Sequence, residues 1–183
     1  GRGRKIVKYR MPPISNEEII QLTQQFRKIL NYKPDEPIDI LWVLEHAMRV
    51  IFEKDGFDFE VKDVDSMSEH AYTDPNTGKI IIREDIYDRA CRGEGRDRFT
   101  IAHEIAHYIL HANPSIARYP RIYPGDDVKP YEDSEWQADA FAGEFLCPCQ
   151  VIRGMTPEEV ADKFGVSVQA AKTQLKKSLR CFQ

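Results

Sequence analysis

Apolar residues return at helical spacing along most of this chain and alternate in one short region, which predicts a mainly helical protein with a small sheet. Ile19, Ile20, Leu22, Phe26, Ile29 and Leu30 recur as far as Asn31 after a capping box of Ser15 and Glu18. Pro34 and Pro37 end that element, and Ile38 to Phe52 predicts a second amphipathic helix. Gly56 breaks the pattern, after which Phe57, Phe59 and Val61 alternate as a strand. Ala71-Tyr72 and Lys79 to Ile82 flank Asp74-Pro75-Asn76-Thr77-Gly78, a turn sequence that predicts a hairpin. The sheet is expected to be antiparallel with Lys79 to Arg83 at its edge, either adding a strand from an extended peptide or serving the structure alone.

Two further runs predict buried helices: Phe99, Ile101, Ala102, Ile105, Ala106, Ile109 and Leu110, then Ala140, Phe141, Ala142, Phe145 and Leu146. The connection over residues 113–132 is long and holds Tyr119, Tyr123 and Tyr131; its length points to a cover over a cleft or a donor to an oxyanion, with no tyrosine singled out. Thr156-Pro157-Glu158-Glu159 starts another helix, Gly165 ends it, and Ser167 caps a last one through Ala170, Ala171, Leu175 and Leu179. This is a helix-turn-helix-like unit. Gln169, Lys172, Thr173 and Lys176 are the side chains that would reach bases, yet a packing or partner-docking role is the expectation preferred over DNA binding. The chain divides into a basic tail, 1–14, a domain over 15–150 and a helical segment over 151–183.

The first buried helix carries His103-Glu104-Ile105-Ala106-His107. A rise of about 1.5 Å per residue and ~3.6 residues per turn place positions 103 and 107 on one face, about 6 Å apart. Two ring nitrogens so placed converge on one cation, while Glu104, about 100° round the helix, is positioned as a general base toward water. Glu135 and Asp139 stand one turn apart on the second helix. Glu135 supplies the third ligand of a His-His-Glu set, and Asp139 an acceptor for a ligating ring N–H. The plain alternatives are core histidines satisfied by hydrogen bonds and two solvated carboxylates. His111 lies about 12 Å along the helix from His103, too far to join them without a break, and Tyr108 to Leu110 holds no glycine to provide one. It is expected at the helix C-terminus, favourably placed against the dipole.

These residues resemble the ImmA/IrrE metallopeptidase family. The likeness rests on His103-Glu104-x-x-His107 and on Glu135 to Pro148, which is similar to the pattern Glu-x-x-Ala-Asp/Asn-x-Phe-Ala-x-x-Leu-Leu-x-Pro. It extends more loosely to Ile38 to Ile40, Lys79 to Ile82 and Phe164 to Ser167, and Phe145 and Cys147 depart from it without touching a ligand. The resemblance implies an α+β, mainly helical zincin-like metallopeptidase domain, with His103, His107 and Glu135 as zinc ligands and Glu104 as the catalytic base. It also implies a bacterial, phage or mobile-element setting and cleavage of a helix-turn-helix repressor to release silenced genes. Manganese could replace zinc at such ligands. The alternatives are a zinc-containing regulator that binds a repressor or DNA through its C-terminal helices without hydrolysis, and a general peptidase.

Composition adds limits. With 26 basic and 30 acidic side chains the 183-residue chain has a formal charge of -4, which argues against a generally basic nucleic-acid binder. Arg2, Arg4, Lys5, Lys8 and Arg10 form a local basic run, expected to be solvated. Cys91, Cys147, Cys149 and Cys181 lack zinc-ribbon spacing and disulfide-scaffold density, so they read as reduced thiols. No apolar stretch approaches the roughly 18 residues of a membrane span, and no signal-peptide pattern opens the chain. A cytoplasmic location is expected.

Overall fold

Ser15 and Glu18 close their reciprocal capping box at the start of α1 (Asn16–Ile29), which turns Ile19, Thr23 and Phe26 into the core. The computed structural model describes residues 7–112 and 120–181. Asp39 then caps a helical run whose ends are α2 (Ile40–Trp42) and α3 (Met48–Ile51) and whose middle, Val43–Ala47, is wound as a π-helix. Ile40, Val43, Leu44, Ala47 and Met48 are its buried face, the 3–4 spacing read from the sequence.

Strands β1 (Phe59–Lys62), β2 (Ala71–Thr73) and β3 (Ile80–Arg83) make a sheet in the order β1-β3-β2. The expected hairpin is present: β2 and β3 pair antiparallel, with Asp74 Oδ1 accepting from Asn76 N at 2.8 Å and Gly78 in the left-handed region at φ 75°. Two expectations are corrected. β1 pairs parallel to β3, so the sheet is mixed, and β3 is central, so Lys79 to Arg83 cannot be the edge. The reason lies in burial: Ile80, Ile81 and Ile82 are covered on both faces, the pattern of an interior strand rather than an alternating edge. A short helix absent from the sequence reading, α4 (Glu84–Cys91), follows β3 and buries Ile86 and Ala90.

The scaffold of the molecule is the packing of α5 (Gly95–His111) on α6 (Ser134–Leu146). Ile101, Ala102, Ile105 and Ala106 of α5 and Ala138, Phe141, Ala142 and Phe145 of α6 belong to one continuous core. Helix α6 is covered almost all round, and α1 closes it from another side with Phe26 and Phe145 rings 5.1 Å apart. Its C-terminal carbonyl at Phe145 accepts from the buried Arg27 Nε at 2.9 Å, a cation placed where the helix dipole favours one.

Helices α7 (Cys149–Ile152), α8 (Pro157–Phe164) and α9 (Val168–Ser178) complete the chain. Thr156 and Ser167 cap α8 and α9, and Gly165 at φ 65° makes the turn between them. Val160, Phe164, Val166 and Ala171 join the same core as α5 and α6. Gln169, Lys172, Thr173 and Lys176 are exposed. Lys8 and Arg10 of the basic run keep exposed side chains, as expected, while the backbone around them is tied down: Arg10 N donates to Pro120 O, Met11 N to Glu132 O and Ser134 N to Tyr9 O, which binds this segment beside α6. Arg2, Arg4, Lys5 and the loop over 113–119, with Tyr119, lie outside the described residues.

Candidate metal centre

One turn of α5 separates His103 from His107, and both rings face the first turn of α6. Asp133 fixes that turn by accepting from Glu135 N at 2.8 Å and Trp136 N at 3.3 Å. Glu135 is thereby presented to both imidazoles: its Oε2 lies 2.8 Å from His103 Nε2 and its Oε1 3.1 Å from His107 Nε2. Ligand atoms of the three residues all fall within 4.8 Å of one another. Tetrahedral zinc with bonds of about 2.0–2.1 Å holds its ligand atoms roughly 3.4 Å apart, so a cation fits after an opening of a few tenths of an ångström. Two imidazoles and one carboxylate are also the donor set of a hydrolytic zinc site with a place left for water.

Each ring uses its other nitrogen on the far side. His103 Nδ1 donates to Asp139 Oδ1 at 2.7 Å, the contact that the one-turn spacing of Glu135 and Asp139 predicts. His107 Nδ1 meets His111 Nδ1 at 2.9 Å, and His111 Nε2 meets Gln137 Oε1 at 2.8 Å. His111 is the last residue of α5, as expected, but it is buried against α6, and burial together with His107 pushes its pKa down to about 4, which disfavours the cationic form the helix dipole would hold.

Electrostatics in the cluster favour a cation between the rings. Burial works against charge on His103, but its hydrogen bonds to Asp139 and Glu135 and the nearby Glu104 carboxylate outweigh it and hold the imidazole at about 10. Burial likewise opposes charge on Glu135, and the hydrogen bonds from His103 and His107 overcome it, holding the carboxyl well below its usual range. Negative charge is thus retained at Glu135 in a largely buried place.

Glu104 sits off the ligand face, as the helix period requires, and its side chain is buried at the border of a cavity of about 510 Å³. Thr73 of β2 donates from Oγ1 to Glu104 Oε2 at 2.6 Å, joining sheet to helix at the site. The cavity is lined by His103, Glu104, His107 and Glu135 on its floor, by Ala71 to Asn76 on one side and by Val7, Tyr9, Met11 and Arg121 on the other. Tyr123 and Tyr131, considered as oxyanion donors, are not among its lining residues; the tyrosines that line it are Tyr9 and Tyr72.

Thr73, Gln137 and the segment at Tyr9 escaped the sequence reading. For Thr73 and Gln137 no local signal exists, because their roles arise from tertiary contact. The segment did carry one: Val7, Tyr9 and Met11 alternate with Lys8 and Arg10, the period of an extended strand with one covered side.

The edge of β2 faces this cavity. Arg83 N donates to His70 O and Asp74 N to Lys79 O, so Tyr72 and Ile81 form the hydrogen-bonded pair between them. The backbone groups of Ala71 and Thr73 therefore point away from β3, along the open side.

No curated protein matches the chain in sequence. Among solved structures, a Mycobacterium tuberculosis transcriptional regulator has a similar fold, with a TM-score of 0.56 at 15% identity over 88% of this chain. The chain spans 57% of that regulator's length, and the likeness concerns the fold alone. A family model, described as the IrrE N-terminal-like domain of the M78 peptidases, matches residues 45–176 and so includes both motif helices; the chain belongs to this ImmA/IrrE metallopeptidase family.

Proposed function

We propose that the protein is a zinc-dependent endopeptidase in which His103, His107 and Glu135 hold the ion, Glu104 is the general base and Asp139 orients His103. The observation that carries this reading is the convergence of both Nε2 atoms on one carboxylate at the cavity floor. Bound zinc supplies Lewis acidity that polarises a peptide carbonyl and acidifies water, and manganese suits the same donors. Glu104 accepts the proton of the attacking water and delivers it to the leaving amine as the C–N bond breaks. Thr73 holds Oε2 of that carboxylate, which leaves Oε1 for the proton transfer.

An extended peptide is the substrate form that the site suits, because the open edge of β2 offers backbone partners beside the metal site. A helix-turn-helix repressor in the cytoplasm is the substrate we favour. Family membership supports it, and a fold shared with a transcriptional regulator is in keeping with it. The exposed row Gln169, Lys172, Thr173 and Lys176 on α9 supports a second reading, a regulator that binds its partner without cutting it.

Incubating the zinc-loaded protein with a candidate repressor separates the two readings. Metal-dependent fragments support the peptidase, and Glu104→Gln should retain zinc while losing roughly 10²–10⁴-fold in rate. Cleavage by Glu104→Gln at the wild-type rate would show the assigned base to be wrong. A stoichiometric complex with intact repressor would favour the binding protein.

A further inference from the structure

The second contact of His107 is with another histidine rather than a carboxylate, and the chain of hydrogen bonds behind it has a direction. Gln137 is completely buried, and its Nε2 lies 2.9 Å from Pro12 O and 2.8 Å from Tyr131 O. Carbonyl oxygens only accept, so the amide nitrogen must face them and Oε1 must face His111. Oε1 also only accepts. His111 Nε2, 2.8 Å away, therefore carries the hydrogen. Among the described residues the ring nitrogens of His111 touch only Gln137 and His107, with no carboxylate to stabilise an imidazolium. The neutral ring with hydrogen on Nε2 has a bare Nδ1, which faces His107 Nδ1 at 2.9 Å.

We propose that Gln137 and His111 are positioning residues that fix the tautomer of His107: the Pro12 and Tyr131 carbonyls orient the amide, the amide sets His111, and His111 requires His107 to donate through Nδ1. The hydrogen that His107 Nε2 gives to Glu135 Oε1 in this structure is then the one a cation displaces, which leaves the Nε2 lone pair for the metal. This inference rests on the metal assignment above, and extends it to residues outside the ligand set. It also gives the two ligating histidines different supports. Asp139 backs His103 with a charge, whereas the His111 relay backs His107 with orientation alone, in a site that already gathers Glu104, Glu135 and Asp139. Because the relay begins at Pro12, docking of the N-terminal segment is tied to the state of a metal ligand.

The test reads tautomers directly by long-range nitrogen–proton NMR on histidine-labelled protein, with and without zinc, alongside zinc affinity by chelator competition. In the zinc-loaded wild type, His107 should be protonated at Nδ1 and ligated at Nε2, and His111 protonated at Nε2 with Nδ1 bare. Gln137→Met removes the acceptor at similar volume, and should mix the His111 tautomers and weaken zinc binding by roughly 10–100-fold while His103 keeps its signals. Protonation of His111 at Nδ1 in the zinc-loaded wild type overturns the relay even if the variant fails to fold. Gln137→Met with unchanged tautomers and wild-type zinc affinity overturns it too. If zinc shifts neither His103 nor His107, the metal assignment falls and the relay with it.

Discussion

His103 shows how far one side chain was legible in advance. Its pairing with His107 follows from the helix period, and its contact with Asp139 from the spacing of two acids on a second helix, because both depend on local geometry alone. The contacts of Thr73 and Gln137 depend on which elements meet in space, and His111 stands at the helix end its position predicts, though its burial there was not legible. The His103 environment has a consequence for the metal-free protein. Its imidazole is held at about 10 in the folded chain, above an ordinary value of 6.5, so the folded state binds the proton more tightly. That stabilisation is complete below about pH 6.5 and is lost as pH rises toward about 10. Denaturant midpoints of metal-free protein should therefore fall between pH 7 and 9, and Asp139→Asn should flatten the slope; a wild-type midpoint that rises over this range would contradict the assignment.

Among the elements, helices were the most legible, since a 3–4 apolar spacing sustained over many residues matches the period of a helix and not that of a strand. The sheet was less so. The hairpin turn announced itself through Asp74 to Gly78, but no local signal says that β1 runs parallel to β3 and so makes β3 central. Helix α4 has only two turns and two buried residues, too little periodicity to stand out. Close approach between elements was equally invisible. A Cβ at Gly95, in the first turn of α5, would lie 2.4 Å from the backbone carbon of Val166, in the turn between α8 and α9. Helix propensity alone would make Gly95→Ala stabilising by about 1 kcal/mol. The clash is with backbone, which cannot step aside like a side chain, so overpacking should win and destabilise the protein by about 1–3 kcal/mol. Urea denaturation measures this, and an unchanged or raised midpoint would show that α5 and the C-terminal turn are not locked together.

At the scale of the whole molecule, the cavity at the candidate metal site is lined by α5, by β2 with its turn and by the N-terminal segment that is bound beside α6. The wall formed by Val7, Tyr9 and Met11 was hidden in the sequence by the basic residues that alternate with it; of the three only Met11 is buried, and Lys8 and Arg10 stay exposed. The C-terminal helices share the core of α5 and α6, which explains how a helix-turn-helix-like unit can serve the fold while leaving one face of α9 exposed. Among the described residues no helix is long and apolar enough to cross a membrane. The proposed peptidase turns on one place, the candidate cation site between α5 and α6. X-ray absorption at the zinc edge of the loaded protein examines it most directly. One equivalent of zinc with two imidazole nitrogens and light oxygen ligands at about 2.0–2.2 Å, lost in His107→Ala and Glu135→Ala, is the predicted result. A sulfur shell near about 2.3 Å, or a site that survives both substitutions, would contradict it.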